Sequence, residues 1–403
     1  MLRPAAHEVP GDPEAHLLEP QSTALFALLL VMFGALAWRM MSGRRVVFRV
    51  LAACLAFVTA MTFGVLAVNR YYDYYQTWGA MMSDLTNQGV GATSGVPVVK
   101  LKSGKQSGTL DGSRGDLELA QQQGYLLRLM VTGPRSRITR AVYVYLPPQY
   151  FQPAYQAYRF PAIALIHGQP GEPRDWITVA GVTHTFGRML EDKLAQPAVM
   201  VMPDANGGRG ISLQCLNQAG GAQDLTYLAV DLPAQIARTL RVLPPGTGWG
   251  VAGYSEGGFC AANMALRYPG RYGFAGVLSG YFTPEDNKLA RGRMVSPFGG
   301  NSSLQEQNTP LDEIRTLSAA AVVPQFWLGV GTADGEGMAD AEVFWHDLRL
   351  RQPEAALTLT PGGGHTMTTW RAEIPLMLAW MTRGLDRAAV PSGTTTVAQR
   401  SRR

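Results

Sequence analysis

One serine stands where its surroundings could turn a weak nucleophile into a strong one. The run Gly253-Tyr-Ser-Glu-Gly257 follows the apolar segment Trp249–Ala252 and opens an amphipathic segment, Gly257–Tyr268. A serine between a strand and a helix sits on a tight turn that thrusts its hydroxyl outward. Gly253 and Gly257 fit because a Cβ at either position would crowd such a turn. The helix N-terminus after Ser255 aims free N–H groups and a positive dipole end at the reacting centre. The backbone N–H of Glu256 is therefore one candidate oxyanion donor.

A serine hydroxyl also needs a base. In a strand–serine–helix arrangement of this kind the chain order is Ser, then acid, then His. Two histidines follow Ser255. His346 lies among charged neighbours in a helical segment and reads as a surface residue. His365, in Pro361-Gly-Gly-Gly-His365, directly follows the final strand-like run, where a loop reaches the active edge of the sheet. We take His365 as the base. The third member orients the imidazole and stabilises its cation. Asp334, in Gly331-Thr-Ala-Asp334-Gly, leaves another strand end. Glu336 and Asp340 are its rivals, although Asp340 also suits a helix N-cap. The second oxyanion donor is expected from His167-Gly-Gln-Pro-Gly-Glu-Pro-Arg-Asp-Trp176. Gln169 is the candidate there, because Pro170 has no N–H. His167 precedes the nucleophile and reads as structural. Asp204, in Met202-Pro203-Asp204-Ala-Asn-Gly-Gly-Arg209, reads as a hydrogen-bonding brace for the neighbouring loops.

Alternating elements must position these groups. Strands are expected at Tyr125–Val131, Ala141–Leu146, Ala162–Ile166, Ala198–Met202, Trp249–Ala252, Gly276–Leu278, Gln325–Val330 and Ala356–Thr360. Several are unbroken apolar runs, as in strands covered on both faces. Helices are expected at Val182–Leu194, Leu225–Val242, Gly257–Tyr268, Ala339–Arg351 and Thr369–Leu385. Strand and helix in turn imply an α/β fold with a mostly parallel sheet and helices on both faces. The stretch Tyr281–Val322 has no clear central strand and reads as an insertion of the lid or cap kind.

Two apolar runs precede this domain, Thr23–Trp38 and Val50–Val68. The second is long enough to span a bilayer; the first is so only with its neutral flank, Gln21 and Ser22. Arg39, Arg44, Arg45 and Arg49 lie between them, which places the connecting loop on the cytoplasmic side. The aromatics of Arg70-Tyr-Tyr-Asp-Tyr-Tyr and Trp78 suit the opposite interface. The expected organisation is an extracytoplasmic segment at 1–20, two transmembrane helices at 21–69, a Gly-, Ser- and Gln-rich linker at 70–120, a catalytic domain at 121–386 and a disordered tail at 387–403. The catalytic domain is expected outside the cytoplasm.

The 403-residue chain is 46% hydrophobic and 16% charged, with a net charge of +5. No basic run with interleaved aromatics is present, which argues against nucleic-acid binding. Cys54 falls in an apolar run, and Cys215 and Cys260 fall in the catalytic domain. They form no CxxC pair, so no metal site is expected, and no dinucleotide fingerprint points to a cofactor. Outside the cytoplasm Cys215 and Cys260 are free to form a disulfide; otherwise they are two buried thiols.

The run Ala141-Val-Tyr-Val-Tyr-Leu-Pro-Pro-Gln-Tyr150, the His167-Gly168 loop with Asp175-Trp176, and Met202-Pro203-Asp204 together resemble the putative esterase family. That group of α/β-hydrolases includes esterase D and the antigen 85 mycolyltransferases. The resemblance covers roughly residues 125–385 and places Ser255, Asp334 and His365 at the triad positions. It departs from the antigen 85 proteins, which have a glutamate as the acid. The resemblance implies a serine esterase or an acyltransferase. The order of anchor, linker and esterase is similar to that of actinobacterial envelope enzymes. It implies an envelope lipid or cell-wall ester as substrate, with aminoacyl-phospholipids as one example.

Overall fold

In a computed structural model the described residues are 18–43, 45–86, 98–100, 114–208, 212–285, 287–288 and 294–389. Expectations for 1–17 and 390–403 lie outside them. The chain divides into two compact units, 1–89 and 90–403.

In the first unit, helices Thr23–Ser42 and Val46–Tyr72 pack together as a hairpin. Both are long and apolar enough to cross a membrane. Their side chains face mainly outward, with Val47, Phe57 and Trp38 at 76%, 67% and 70% exposure. The inner seam holds Leu29, Leu66 and Met81, with Phe26 edge-on to Phe63 at 5.2 Å. Polar contacts fasten the open end: the Trp78 indole N–H donates to the Leu18 carbonyl at 2.6 Å, and the Asn69 amide brackets the Tyr75 backbone at 2.8 and 2.9 Å.

The second unit is built on a nine-stranded sheet. Its strands are β1 Val98–Lys100, β2 Tyr125–Thr132, β3 Thr139–Leu146, β4 Ala162–Ile166, β5 Val199–Pro203, β6 Gly246–Tyr254 and β7 Tyr272–Leu278. The antiparallel pair β8 Asn287–Lys288 and β9 Met294–Val295 stands apart, and β10 Gln325–Gly331 and β11 Ala356–Thr360 complete the sheet. The sheet order is β1-β2-β3-β5-β4-β6-β7-β10-β11. β3 runs antiparallel to both neighbours, and the other pairings are parallel. All five residues of β4 and of β5 are buried, as strands covered on both faces require.

The chain steps from β4 outward to β5, then returns past β4 to β6. The strand order thus reverses between β4 and β6. A crevice at the carboxyl ends of such strands is where open α/β sheets place their sites.

Several expected boundaries move, each for a local reason. β6 and β7 are longer than Trp249–Ala252 and Gly276–Leu278. Glycines at 246, 248 and 273 hid the strand signal, because isolated glycines weaken it. A Cβ at Gly250 would press on the Met381 sulfur at 2.6 Å, so this glycine admits the final helix, Met367–Ala389. The expected helix Leu225–Val242 is three pieces: a turn at Asp224–Thr226, a π-turn at Tyr227–Asp231 and a helix at Leu232–Thr239. Pro233 cannot donate to the i−4 carbonyl, and the wider turn lies just ahead of it. The expected linker 70–120 contains the helix Trp78–Leu85, strand β1 and the start of the helix Arg114–Gln123. Within Tyr281–Val322, residues 286 and 289–293 are outside the described set. The helices Ser302–Glu306 and Pro310–Thr316 follow. The latter packs against Glu256–Arg267 and Gly335–Arg349, so this part belongs to the body of the domain.

Candidate active site

Ser255 stands directly between β6 and the helix Glu256–Arg267. Its backbone adopts φ 57°, ψ −124°, a conformation that costs a non-glycine residue of order 1–3 kcal/mol. The turn is held from both sides: the Ser255 N–H donates to the Leu278 carbonyl at 2.9 Å, and the Ser255 carbonyl accepts from Gly258 at 2.8 Å. A Cβ on Gly253 would collide with the Gly257 carbonyl. A Cβ on Gly257 would collide with the carbonyl of Ile166. Both glycines are thus demanded by close backbone approach.

His365 comes from the loop after β11, and Asp334 from the loop after β10. The His365 Nε2 lies 2.9 Å from the Ser255 Oγ, and its Nδ1 lies 3.0 Å from Asp334 Oδ2. The two loops are stitched together: the Ala333 N–H donates to the Gly363 carbonyl at 2.8 Å, and the Gly362 N–H to the Thr332 hydroxyl at 2.8 Å. Asp334 is 5% exposed. Burial alone would raise its pKa, but His365, the Ser279 hydroxyl and the Gly337 N–H together hold it below its ordinary value. Glu336 and Asp340 are exposed, and His346 lies on the outer face of its helix with a 79% exposed side chain.

Ile166 at the end of β4 pairs in register with Gly253. The His167–Trp176 loop and the nucleophile turn therefore leave adjacent strand ends. A Cβ on Gly168 would meet the Tyr254 ring at 2.9 Å, so the residue before Gln169 lies against the residue before Ser255. The Ala205 N–H donates to His167 Nε2 at 3.1 Å, which leaves the His167 Nδ1–H to donate to the Gly168 carbonyl at 2.8 Å. His167 is spent on tying two loops together. Asp204 Oδ1 accepts from the Asn206 and Gly207 N–H groups at 3.2 and 2.7 Å, so it braces its own turn.

The Glu256 side chain has a task separate from its backbone. It is 4% exposed and accepts from Asn206 Nδ2 at 2.7 Å and from the Ser212 hydroxyl. Burial raises its pKa to about 6, with those two donors opposing the rise. Cys215 and Cys260 form a disulfide with Cα atoms 5.5 Å apart. The bond and Glu256 thus fasten the segment after β5 to the nucleophile helix at successive turns.

The expectations from sequence omitted Ser279 and Trp370. Trp370 donates its indole N–H to the Ser279 Oγ at 2.9 Å. Ser279 follows β7 in a positive-φ turn, a local feature with no distinctive sequence pattern. A cavity of about 720 Å³ beside Arg267 and Glu313 lies at the opposite end of the nucleophile helix from Ser255. Among the described residues no group of three or more His, Cys, Asp and Glu is arranged to hold a metal ion.

The family profile described as Putative esterase matches residues 136–381, more than half of the chain. The chain belongs to that family. Its chemistry is ester hydrolysis or acyl transfer. An uncharacterised protein of Corynebacterium glutamicum is 24% identical over 370 residues, covering 89% of this chain and 80% of that protein. The MPT51 antigen of Mycobacterium leprae is 40% identical over 109 residues, covering 23% of this chain and 35% of the antigen. Among solved structures, a ferulic acid esterase superposes with a TM-score of 0.55 at 17% identity, over 65% of this chain and 99% of that one. That likeness shows the shared α/β-hydrolase fold.

Proposed function

We propose that the chain is a membrane-anchored serine esterase that works outside the cytoplasm, with Ser255, His365 and Asp334 as its triad. The observation that carries this reading is the continuous contact from Ser255 Oγ through His365 to Asp334, at 2.9 and 3.0 Å. His365 Nε2 takes the hydroxyl proton as Ser255 Oγ attacks the ester carbonyl. Asp334 stays ionised and stabilises the imidazolium. The N–H groups of Glu256 and Gln169 receive the developing oxyanion, a contribution of about 3–4 kcal/mol per donor in comparable sites. His365 then returns the proton to the departing alcohol. In the second half, water attacks the acyl-serine with His365 again as base.

The anchor reading rests on two apolar helices of 20 and 27 residues that leave most of their surface exposed. Arg39, Arg45 and Arg49 at their connection support a cytoplasmic loop. A catalytic unit outside is supported further by the Cys215–Cys260 disulfide, which an oxidising compartment favours. A tethered site favours substrates that share the membrane: carboxylic esters of envelope lipids or of the cell wall, aminoacyl-phospholipids among them. If an envelope alcohol outcompetes water at the acyl-serine, the same machinery performs acyl transfer.

A membrane-impermeant fluorophosphonate probe applied to intact cells tests both halves. The wild-type chain should be labelled without lysis, and Ser255→Ala should not. Labelling that appears only after lysis contradicts the topology, and equal labelling of the variant contradicts the nucleophile.

A further inference from the structure

Trp370 touches three parts of the site at once. Its ring stacks on Tyr254, the residue before the nucleophile, with centroids 4.7 Å apart and planes at 24°. It meets the His365 ring edge to face at 5.0 Å and 87°. Its indole N–H donates to Ser279 Oγ at 2.9 Å. Trp370 and Ser279 are 6% and 2% exposed, so water does not compete for these contacts.

The hydrogen-bond inventory fixes a direction. An indole N–H only donates, whereas a hydroxyl both donates and accepts. Ser279 must therefore accept from Trp370 and has its own hydrogen left to give. Its backbone is pinned as well: the Ser279 N–H donates to the Gly329 carbonyl at 2.8 Å, and its φ is 45°. A hydrogen bond from the Ser279 hydroxyl is among the causes that hold the Asp334 carboxyl below its ordinary pKa. Without Trp370 the hydroxyl could turn away, and Asp334 would have one fewer oriented donor.

We propose that Trp370 and Ser279 are positioning residues that act as one unit: the indole N–H orients the Ser279 hydroxyl toward Asp334, while the indole ring holds the planes of His365 and Tyr254. The inference rests on the triad reading above and deepens it. The unit forms no bond to substrate and moves no proton. It sets how Asp334 presents its charge to His365, and so how well His365 serves in the transition state.

The test is a double-variant cycle on the full chain in detergent micelles, using p-nitrophenyl butyrate. Ser279→Ala should lower kcat about tenfold, leave KM within about twofold, and move the acid limb of the kcat/KM profile to higher pH. The shift follows because a carboxylate with one donor fewer shows more of its charge to the imidazolium. Trp370→Phe keeps a ring but removes the N–H; it should shift the limb the same way, by less. The double variant should be no worse than the poorer single one.

Full additivity, or an unmoved acid limb in both single variants, overturns the proposal. If Ser279→Ala fails to fold, the limb in Trp370→Phe decides alone. Ser255→Ala runs beside them. Activity surviving there removes the triad reading itself. A dead Ser255→Ala with wild-type behaviour in the other variants removes only this unit.

Discussion

The two units of this chain use apolar side chains in opposite ways. In the helices Thr23–Ser42 and Val46–Tyr72 most apolar side chains point outward, and the seam between them is thin. In the sheet, β4 and β5 are buried at every position. The same residue types thus suit two different surroundings. The catalytic unit excludes water to build a core, as hydrophobic burial drives it to do. The hairpin satisfies its backbone within each helix and offers its side chains outward, which suits hydrocarbon. Polar groups differ in the same sense. In the catalytic unit they are buried and convergent, as at Asp334 and Glu256. In the hairpin they collect at the two ends, as at Arg39 and Arg45 or Asn69 and Trp78.

If that division is right, each unit can be damaged without harm to the other. The largest effect is expected from Asp334→Asn, which leaves the imidazole in the wrong tautomer. It should cut kcat by about 10³–10⁴-fold, while the protein stays in the membrane fraction; steady-state kinetics on the membrane-bound protein checks this. In the other direction, Phe57→Arg places a charge mid-helix, where insertion costs about 3 kcal/mol. It should move much of the protein out of the alkali-resistant membrane fraction, yet leave kcat per folded molecule unchanged. Loss of both properties together would show that the units are not independent.

A comparable but pH-dependent effect belongs to Glu373. It is fully buried on the Met367–Ala389 helix and accepts from the Thr360 hydroxyl at 2.7 Å. Burial raises its pKa to about 7, with Thr360 opposing and the Asp334 charge assisting. The folded state therefore holds this proton more tightly than the unfolded state. The stability it favours is fully present below the unfolded value of about 4.3 and is lost as pH rises through about 7. Glu373→Gln should raise the Tm at pH 8 by several degrees, corresponding to at most about 4 kcal/mol, and change it little at pH 4. Thermal unfolding at the two pH values decides. The smallest effect on activity should come from Cys215→Ser with Cys260→Ser, which acts on stability instead and costs about 2–4 kcal/mol at every pH. Its effect on kcat should be modest, because Glu256 still holds the segment after β5.

Much of the site was legible because its spacing is forced by backbone geometry. Gly253 and Gly257 are required by contacts between main-chain atoms, and the order Ser, acid, His follows from successive strand ends along one sheet edge. The structure brings Ser255, His365 and Asp334 together, and leaves His346, Glu336 and Asp340 outside. What stayed hidden depends on tertiary contact. Trp370 reads in sequence as an ordinary helix aromatic, and Ser279 as a loop serine; only the fold sets them side by side. The full lengths of β6 and β7 were obscured by Gly246, Gly248 and Gly273, which read locally as breakers, while Gly250 and Gly276 inside the expected strands admit Met381 and Met377 of a helix more than 100 residues later. Pro233 stands in the middle of the expected helix Leu225–Val242; the structure meets its missing N–H with a wider turn just ahead of it, which no local pattern announces.

The most direct test of the account is p-nitrophenyl butyrate cleavage by the intact chain in lipid nanodiscs, with Ser255→Ala prepared in parallel. The account predicts saturable cleavage by the wild type, and a fall of about 10⁴-fold or more in kcat for the variant. Cleavage that persists at the wild-type rate in Ser255→Ala would contradict it.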